Sequence, residues 1–448
     1  MSGLGRRVFD RHAPGSGASR WLASLLHRPG DHAGKDFALP TRRAAGYLLA
    51  LIFAVLCIGV MVGWRDVRRI VFLESLFSGA DQVENFRDMR SLFPTRTVHH
   101  GPASLAFGPG SPIGLPETFV YEGRGEDTQA FLASTETTGL LIVKDDKIVF
   151  EQYWHGNDAN SRWEAWSISK SFVSALIGVA IREGAIASVE DPVTKYASEL
   201  QGSAYDGVRI KDVLRMSSGV RWNEDYGDPG SDVYRLGPRL ALGLSLDSFA
   251  ATLKREYAPG TFRGYDSMDA QVLGMVLRHA TGTNLSDYLS AKLWVPLGME
   301  SDAYWLTDRQ GVEWAAAGLN ATLRDFAKLG RLYLNNGQCN GAQVVSADWV
   351  RQSVAAQAPR PMPSERHNAD SDWGYGYQWW VVGDAGAYSA VGVYNQFVYV
   401  NPSLHLIIAK TSANHAYGTT DDEVSYREGE HIAFFQAIGA AVAPGASK

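Results

Sequence analysis

Apolar and polar positions along the chain divide it into segments of different period. From Gly139 to Trp154 an apolar run, Gly139-Leu140-Leu141-Ile142-Val143, and a second, Ile148-Val149-Phe150-Glu151-Gln152-Tyr153-Trp154, flank the turn-forming Lys144-Asp145-Asp146-Lys147. That pattern predicts a β-hairpin. The next segment, Phe172 to Ile181, is apolar or small on every side, which predicts a helix buried all round. A helical, loop-rich middle is expected from about 167 to 355, with amphipathic helices over 285–293 and 323–334. Strand patterns return over 377–382, 387–391, 396–400 and 404–411, before a final helix over 428–442. Strands at both ends with helices between predict one antiparallel sheet closed by the two ends of this region, with a helical insertion.

Two segments stand outside that pattern. Ala44 to Gly63 is a twenty-residue run without a charge, long enough to cross a hydrocarbon core of about 30 Å. It predicts a transmembrane helix. A cleaved signal peptide is the rival, but the leader is long and Val60-Met61-Val62-Gly63-Trp64 lacks a small-x-small cleavage site. The stretch from Glu84 to Gly125, rich in Pro and Gly, reads as an extended arm after a short amphipathic connector at 65–82. The expected organisation is a flexible basic tail (1–43), the transmembrane helix (44–63), connector and arm (64–125), and a catalytic domain (126–445).

Charge sharpens this. Net charge is −6, yet residues 1–43 carry eight Lys/Arg against three Asp, leaving the rest near −11. Nucleic acid is thereby excluded as a partner of the main domain. The basic tail places the N-terminus in the cytoplasm and the catalytic domain outside a cytoplasmic membrane that the chain crosses once. Cys57 lies in the apolar run and Cys339 in a turn, so no disulfide within the domain is expected.

The chemistry concentrates at Ser167-Ile168-Ser169-Lys170. If Ser167 opens the buried helix, i, i+3 spacing brings Lys170 beside it one turn later, where desolvation lowers the lysine pKa and suits it to take the serine proton. A serine N-cap followed by a surface lysine is the alternative; the wholly apolar helix argues against it. The histidines show no metal-binding spacing and there is no G-x-S-x-G elbow, so neither a metal nor an α/β-hydrolase site is expected. Trp163, Trp222, Trp373, Trp379 and Trp380 fall near the motifs; most are expected in the core, the rest in a cleft for an apolar acyl chain.

Several blocks together resemble the serine β-lactamase-like hydrolases, in the branch that holds 6-aminohexanoate-dimer hydrolases, class C β-lactamases and related esterases. They are Glu84-Asn85-Phe86-Arg87 with Phe93-Pro94-Thr95-Arg96, Trp166 to Phe172, Ile210 to Gly219, Tyr265-Asp266-Ser267, and Gly374 to Trp380. The resemblance spans about 84–440. It implies an α/β sandwich of an antiparallel sheet flanked by helices, with a helical domain, and acyl-enzyme chemistry without metal or cofactor. It also implies Ser167, Lys170 and Tyr265 as catalytic residues. Tyr196, Tyr288, Tyr333 and Tyr399 fit the bare Y-x-S/N pattern equally well; Tyr265 is preferred for its loop context. The third family motif, a cation, a small residue and Gly, is replaced by Ala390-Val391-Gly392. By the resemblance the N–H groups of Ser167 and Val393 form the oxyanion hole, and Ser267, Ala390, Gly392 and Tyr375 face the substrate. The expected substrate is a small amide or ester; a β-lactamase, a D-Ala-D-Ala peptidase or a non-catalytic sensor on the same fold are the rivals.

Overall fold

The structure, a computed structural model, describes residues 42–76, 81–361, 373–383, 386–420 and 422–443. Most of the tail expected to be flexible lies outside these residues. The chain divides into two units, 1–61 and 62–448. The apolar run expected to span a membrane falls inside one 35-residue helix, Arg42–Leu76, which continues into the connector as far as Leu76. Counted over the described residues alone, no helix is long and apolar enough to cross a membrane.

The second unit is built on an eight-stranded sheet. Its order is Gly374–Tyr375, Trp380–Val381, Tyr388–Gly392, Gln396–Asn401, Leu406–Ser412, Thr137–Lys144, Lys147–Tyr153, Gly108–Pro109. All neighbours are antiparallel except the last pair. The expected hairpin is present, and closure comes where Leu406–Ser412 pairs with Thr137–Lys144. Within that strand the two side-chain rows part as a period of two requires. Leu140 and Ile142 pack with Phe131, Phe434, Phe435 and Ile438 of helices Thr128–Ser134 and Glu428–Val442. Leu141 and Val143 face the larger core shared with helices Leu323–Leu334 and Ile168–Arg182. Because both rows are buried, the strands read as continuous apolar runs rather than alternating ones. Gly330 lets the helix lie close on the sheet: a Cβ there would come within 2.9 Å of Ile407 Cγ2.

Two expectations need correction. The supposed featureless arm contains the helix Gln82–Arg87, the strand Thr95–Val98 and the hairpin strands Thr118–Tyr121 and Arg124–Asp127. The helical middle contains strands too: Ala303–Leu306 and Leu319–Ala321 join Thr95–Val98 and Trp163–Glu164, which precede it, in a second, four-stranded sheet. These strands are only two to four residues long, and the two outer ones pair with strands more than 150 positions away, so local periodicity carried no sign of them. The small sheet matters because Trp163–Glu164 delivers the chain to Ser167.

Candidate active site

Ser167 precedes the helix Ile168–Arg182, whose residues 168–180 are all buried. Its own backbone is helical (φ −68°, ψ −8°) and its hydroxyl makes no cap hydrogen bond. The cap alternative is therefore set aside. Lys170, 2% exposed, brings Nζ to 2.6 Å from Ser167 Oγ, 3.2 Å from Ser267 Oγ and 3.0 Å from the Ala316 carbonyl oxygen. Burial pushes the lysine down to about 8, with the charges of Glu224 and Asp266 opposing the fall.

Hydrogen-bond capacity then decides the geometry of the neutral amine, which has two N–H groups and one lone pair. The Ala316 carbonyl can only accept. Ser267 Oγ donates its own proton to Glu224 Oε1 at 2.5 Å, so toward the lysine it too accepts. Both N–H groups are thereby used. The lone pair is left facing the Ser167 hydroxyl.

Tyr265 comes from the loop before the helix Ser267–Thr281. Its phenol interacts with Ser167, and Lys170 Nζ lies 5.1 Å from its ring centroid. Trp380 stacks on that ring at 5.6 Å and Tyr375 meets it edge-on at 6.4 Å. Burial first, then Tyr375 and Glu224, hold the phenol well above its ordinary pKa, so it is a neutral acid. The rival tyrosines are engaged elsewhere: Tyr196 donates to Asp191, Tyr288 to Glu183, Tyr333 packs on Trp379 and Tyr399 on Phe435.

Gly392 ends the strand Tyr388–Gly392 against the residues that lead into Ser167. A Cβ on it would stand 2.7 Å from the Ala165 carbonyl oxygen, so only glycine allows this approach. The approach brings Val393 into a cavity, partly open to solvent, whose walls also include Ser167, Lys170 and Ser267. Ala390, Gly392 and Tyr375, expected to face the substrate, are not among the residues that line this cavity. Ala390 belongs to the larger core, Gly392 sets the strand's approach, and Tyr375 backs Tyr265. Of the tryptophans singled out in the sequence, Trp380 stacks on Tyr265 and Trp222 donates to Glu224. Trp163 and Trp379 are wholly buried, while the cavity is walled by Trp166 and Trp314.

Two acidic residues escaped the sequence reading. Glu224 accepts from the Ser267 hydroxyl, the Ser267 N–H at 3.1 Å, Tyr226 at 2.7 Å and the Trp222 indole. It lies in Trp222-Asn223-Glu224-Asp225-Tyr226, a polar stretch with nothing in its pattern to mark it. Glu164 is wholly buried three residues before the nucleophile and accepts from Trp166 N, Gly318 N and Asn320 Nδ2.

Comparison with known proteins agrees with this geometry. The family model described as Beta-lactamase matches residues 128–431. The 6-aminohexanoate-dimer hydrolase of Paenarthrobacter ureafaciens is 31% identical over 338 residues, covering 73% of this chain and 84% of that protein. Among solved structures, a "Putative 6-aminohexanoate-dimer hydrolase from Bacillus anthracis" superposes with a TM-score of 0.69 at 22% identity, over 82% of this chain and 95% of that one. A penicillin binding protein from Bacillus halodurans gives 0.52 at 15% identity, over 70% and 99% of the two chains. These two structures share the fold.

The buried lysine generates a pH prediction. Acylation needs the neutral amine, so kcat/KM rises with pH through an inflection near 8. Lys170→Ala is expected to lower it at least a hundredfold, within the ~10²–10⁴ range of acid–base groups. Folding stability has its own signature. Between pH 8 and the ordinary 10.5 the unfolded chain holds more protons at this residue, so stability rises with pH across that window. Thermal melts of Lys170→Ala should lose that rise; a slope equal to the parent's would show that the lysine is not desolvated.

Proposed function

Since the chain belongs to the beta-lactamase family, we propose that it is a serine hydrolase that cleaves an amide or ester bond through an acyl-enzyme on Ser167. The observation that carries the reading is the occupancy of Lys170: two acceptors take its N–H groups and the nucleophile faces its lone pair. Lys170 takes the Ser167 proton as Oγ attacks the carbonyl carbon. The N–H groups of Ser167 and Val393 hold the oxyanion, each worth about 3 kcal/mol by analogy with single-donor deletions. Tyr265, held neutral, passes a proton to the leaving group and takes in its place the one that Lys170 received from Ser167. Water then attacks the acyl-enzyme by the same path in reverse and releases the acid.

The β-lactamase and D-Ala-D-Ala peptidase readings are less well supported. A β-lactam carries a carboxylate, and a charge-assisted hydrogen bond to it is worth about 1.5–3 kcal/mol. At the place where a lysine would supply that bond this chain has Ala390, and among the cavity's lining residues Lys170 is the one cation.

We further propose that residues 44–63 anchor the protein in the cytoplasmic membrane, with the catalytic unit outside. The run is uncharged, and Leu49, Phe53, Val55, Leu56 and Val60 are exposed on the helix, a surface that water penalises and hydrocarbon does not.

Ser167→Ala is expected to abolish hydrolysis and labelling by a fluorophosphonate probe with little change in thermal stability, and nitrocefin to be turned over at least tenfold more slowly than a neutral ester. Labelling retained by the variant would refute the nucleophile. Nitrocefin turned over as fast as the best ester would favour the β-lactamase, and a parent chain that takes no label would favour the sensor. The anchor has a separate test. The protein should stay with membranes through a high-salt wash, and a reporter that works only outside the cytoplasm should be active when fused after Lys448; release by salt or an inactive reporter would refute anchor or topology respectively.

A further inference from the structure

The cavity beside Ser167 is walled by the side chains of Trp166, Tyr226, Tyr234, Leu240, Trp314 and Tyr394. Two of its hydroxyls are spent: Tyr226 donates to Glu224 and Tyr234 to the Tyr226 carbonyl, each at 2.7 Å. Lys170 is the one charged lining residue, and catalysis requires it neutral. Glu224 is occupied by four donors. From this we infer that the site selects acyl groups that are apolar and uncharged, and that it discriminates against the ω-ammonium chain of a 6-aminohexanoyl group. The inference rests on the serine hydrolase reading and narrows it. A methylene moved from water into such walls is worth ~0.8 kcal/mol, about fourfold in rate. An ammonium group moved there without a counter-ion loses its hydration and gains no partner.

The test uses p-nitroanilides that share one leaving group and differ in acyl chain. Along the series acetyl, butanoyl, hexanoyl, kcat/KM should climb about fourfold per methylene. The 6-aminohexanoyl and the 5-carboxypentanoyl compounds should fall at least a hundredfold below hexanoyl. Leu240→Trp, which fills the cavity, should flatten the climb. A flat ladder in the parent chain, or a 6-aminohexanoyl compound as good as hexanoyl, overturns the inference. So does a 6-(trimethylammonio)hexanoyl compound better than hexanoyl, which would mean that the aromatic walls hold a cation through their ring faces. Fluorophosphonate labelling separates the two levels: a labelled enzyme with a flat ladder loses only the substrate class, whereas an unlabelled one loses the hydrolase reading.

A different observation carries a second inference. One oxygen of Glu164 accepts from Trp166 N at 3.0 Å and from Gly318 N at 2.8 Å, and the other from Asn320 Nδ2 at 2.8 Å. Trp166 is held in the left-handed region (φ 47°) immediately before the nucleophile. Gly318 follows the segment whose Ala316 carbonyl accepts from Lys170. We infer that Glu164 is a positioning residue, one carboxylate clamping the backbone that aims Ser167 to the backbone that holds Lys170. Keeping a carboxylate there works against stability. Burial raises it to about 7 against the usual 4.5, so stability falls as pH rises between those values. The titratable neighbour facing it is Tyr304, which in turn has Arg90 over its ring at 5.6 Å and Asp88 nearby.

Glu164→Gln tests this by separating activity from stability. Glutamine keeps the oxygen bonded to Trp166 and Gly318 but turns an N–H toward Asn320 Nδ2, so the clamp shifts while the buried charge disappears. At pH 8 the variant is expected to melt no lower than the parent, with kcat reduced at least tenfold and KM within twofold. A lower melting temperature, a failure to fold, or an unchanged kcat overturns the inference.

Discussion

Everything in this molecule turns on one buried amine. A lysine in water is protonated near neutral pH and useless as a base. Removing its solvent shell makes the neutral form accessible, and the helix Ile168–Arg182 does this by packing core residues around Lys170 on every side. Desolvation alone would push the amine further down. The carboxylates of Glu224 and Asp266 oppose it, and the balance falls about where a base working near neutral pH is most effective.

Lowering the pKa does not by itself aim the lone pair. That depends on acceptors placed from distant parts of the chain: the carbonyl of Ala316 and the hydroxyl of Ser267, the latter made an acceptor because Glu224 takes its proton. Both are held by long-range structure, the small four-stranded sheet on one side and the helix Ser267–Thr281 on the other. The strand Tyr388–Gly392 closes the site through a contact that a single methyl group would forbid. Such an arrangement resists deformation because packed interiors have little free volume.

The aromatic walls add a second layer. Trp380 and Tyr375 fix the Tyr265 ring from behind, while Trp166, Trp314 and Tyr394 face the space the substrate enters. Trp166 also packs on Phe86, which belongs to the helix Gln82–Arg87. The helix Gln82–Arg87 thus backs the wall of the cavity from behind Trp166.

The hairpin at 137–153, the buried helix and the Ser167–Lys170 pair were legible because each depends on residues close in sequence: a period of two, an unbroken apolar face, an i, i+3 spacing. Tyr265 was legible only with the help of family resemblance, since four other tyrosines match its pattern. Glu224, Glu164, Trp166 and Trp314 were not placed at the site at all. Nothing local distinguishes a glutamate that accepts four hydrogen bonds in the interior from one on a solvated loop. The partners that make the difference, Ser267 for Glu224 and Gly318 and Asn320 for Glu164, lie 43 to 156 positions away. The chain alone therefore determined that a serine hydroxyl and a lysine amine meet, because they share one helical turn. Only the tertiary structure decided how they are charged, aimed and enclosed, because desolvation and hydrogen-bond occupancy belong to the surroundings that non-local packing assembles.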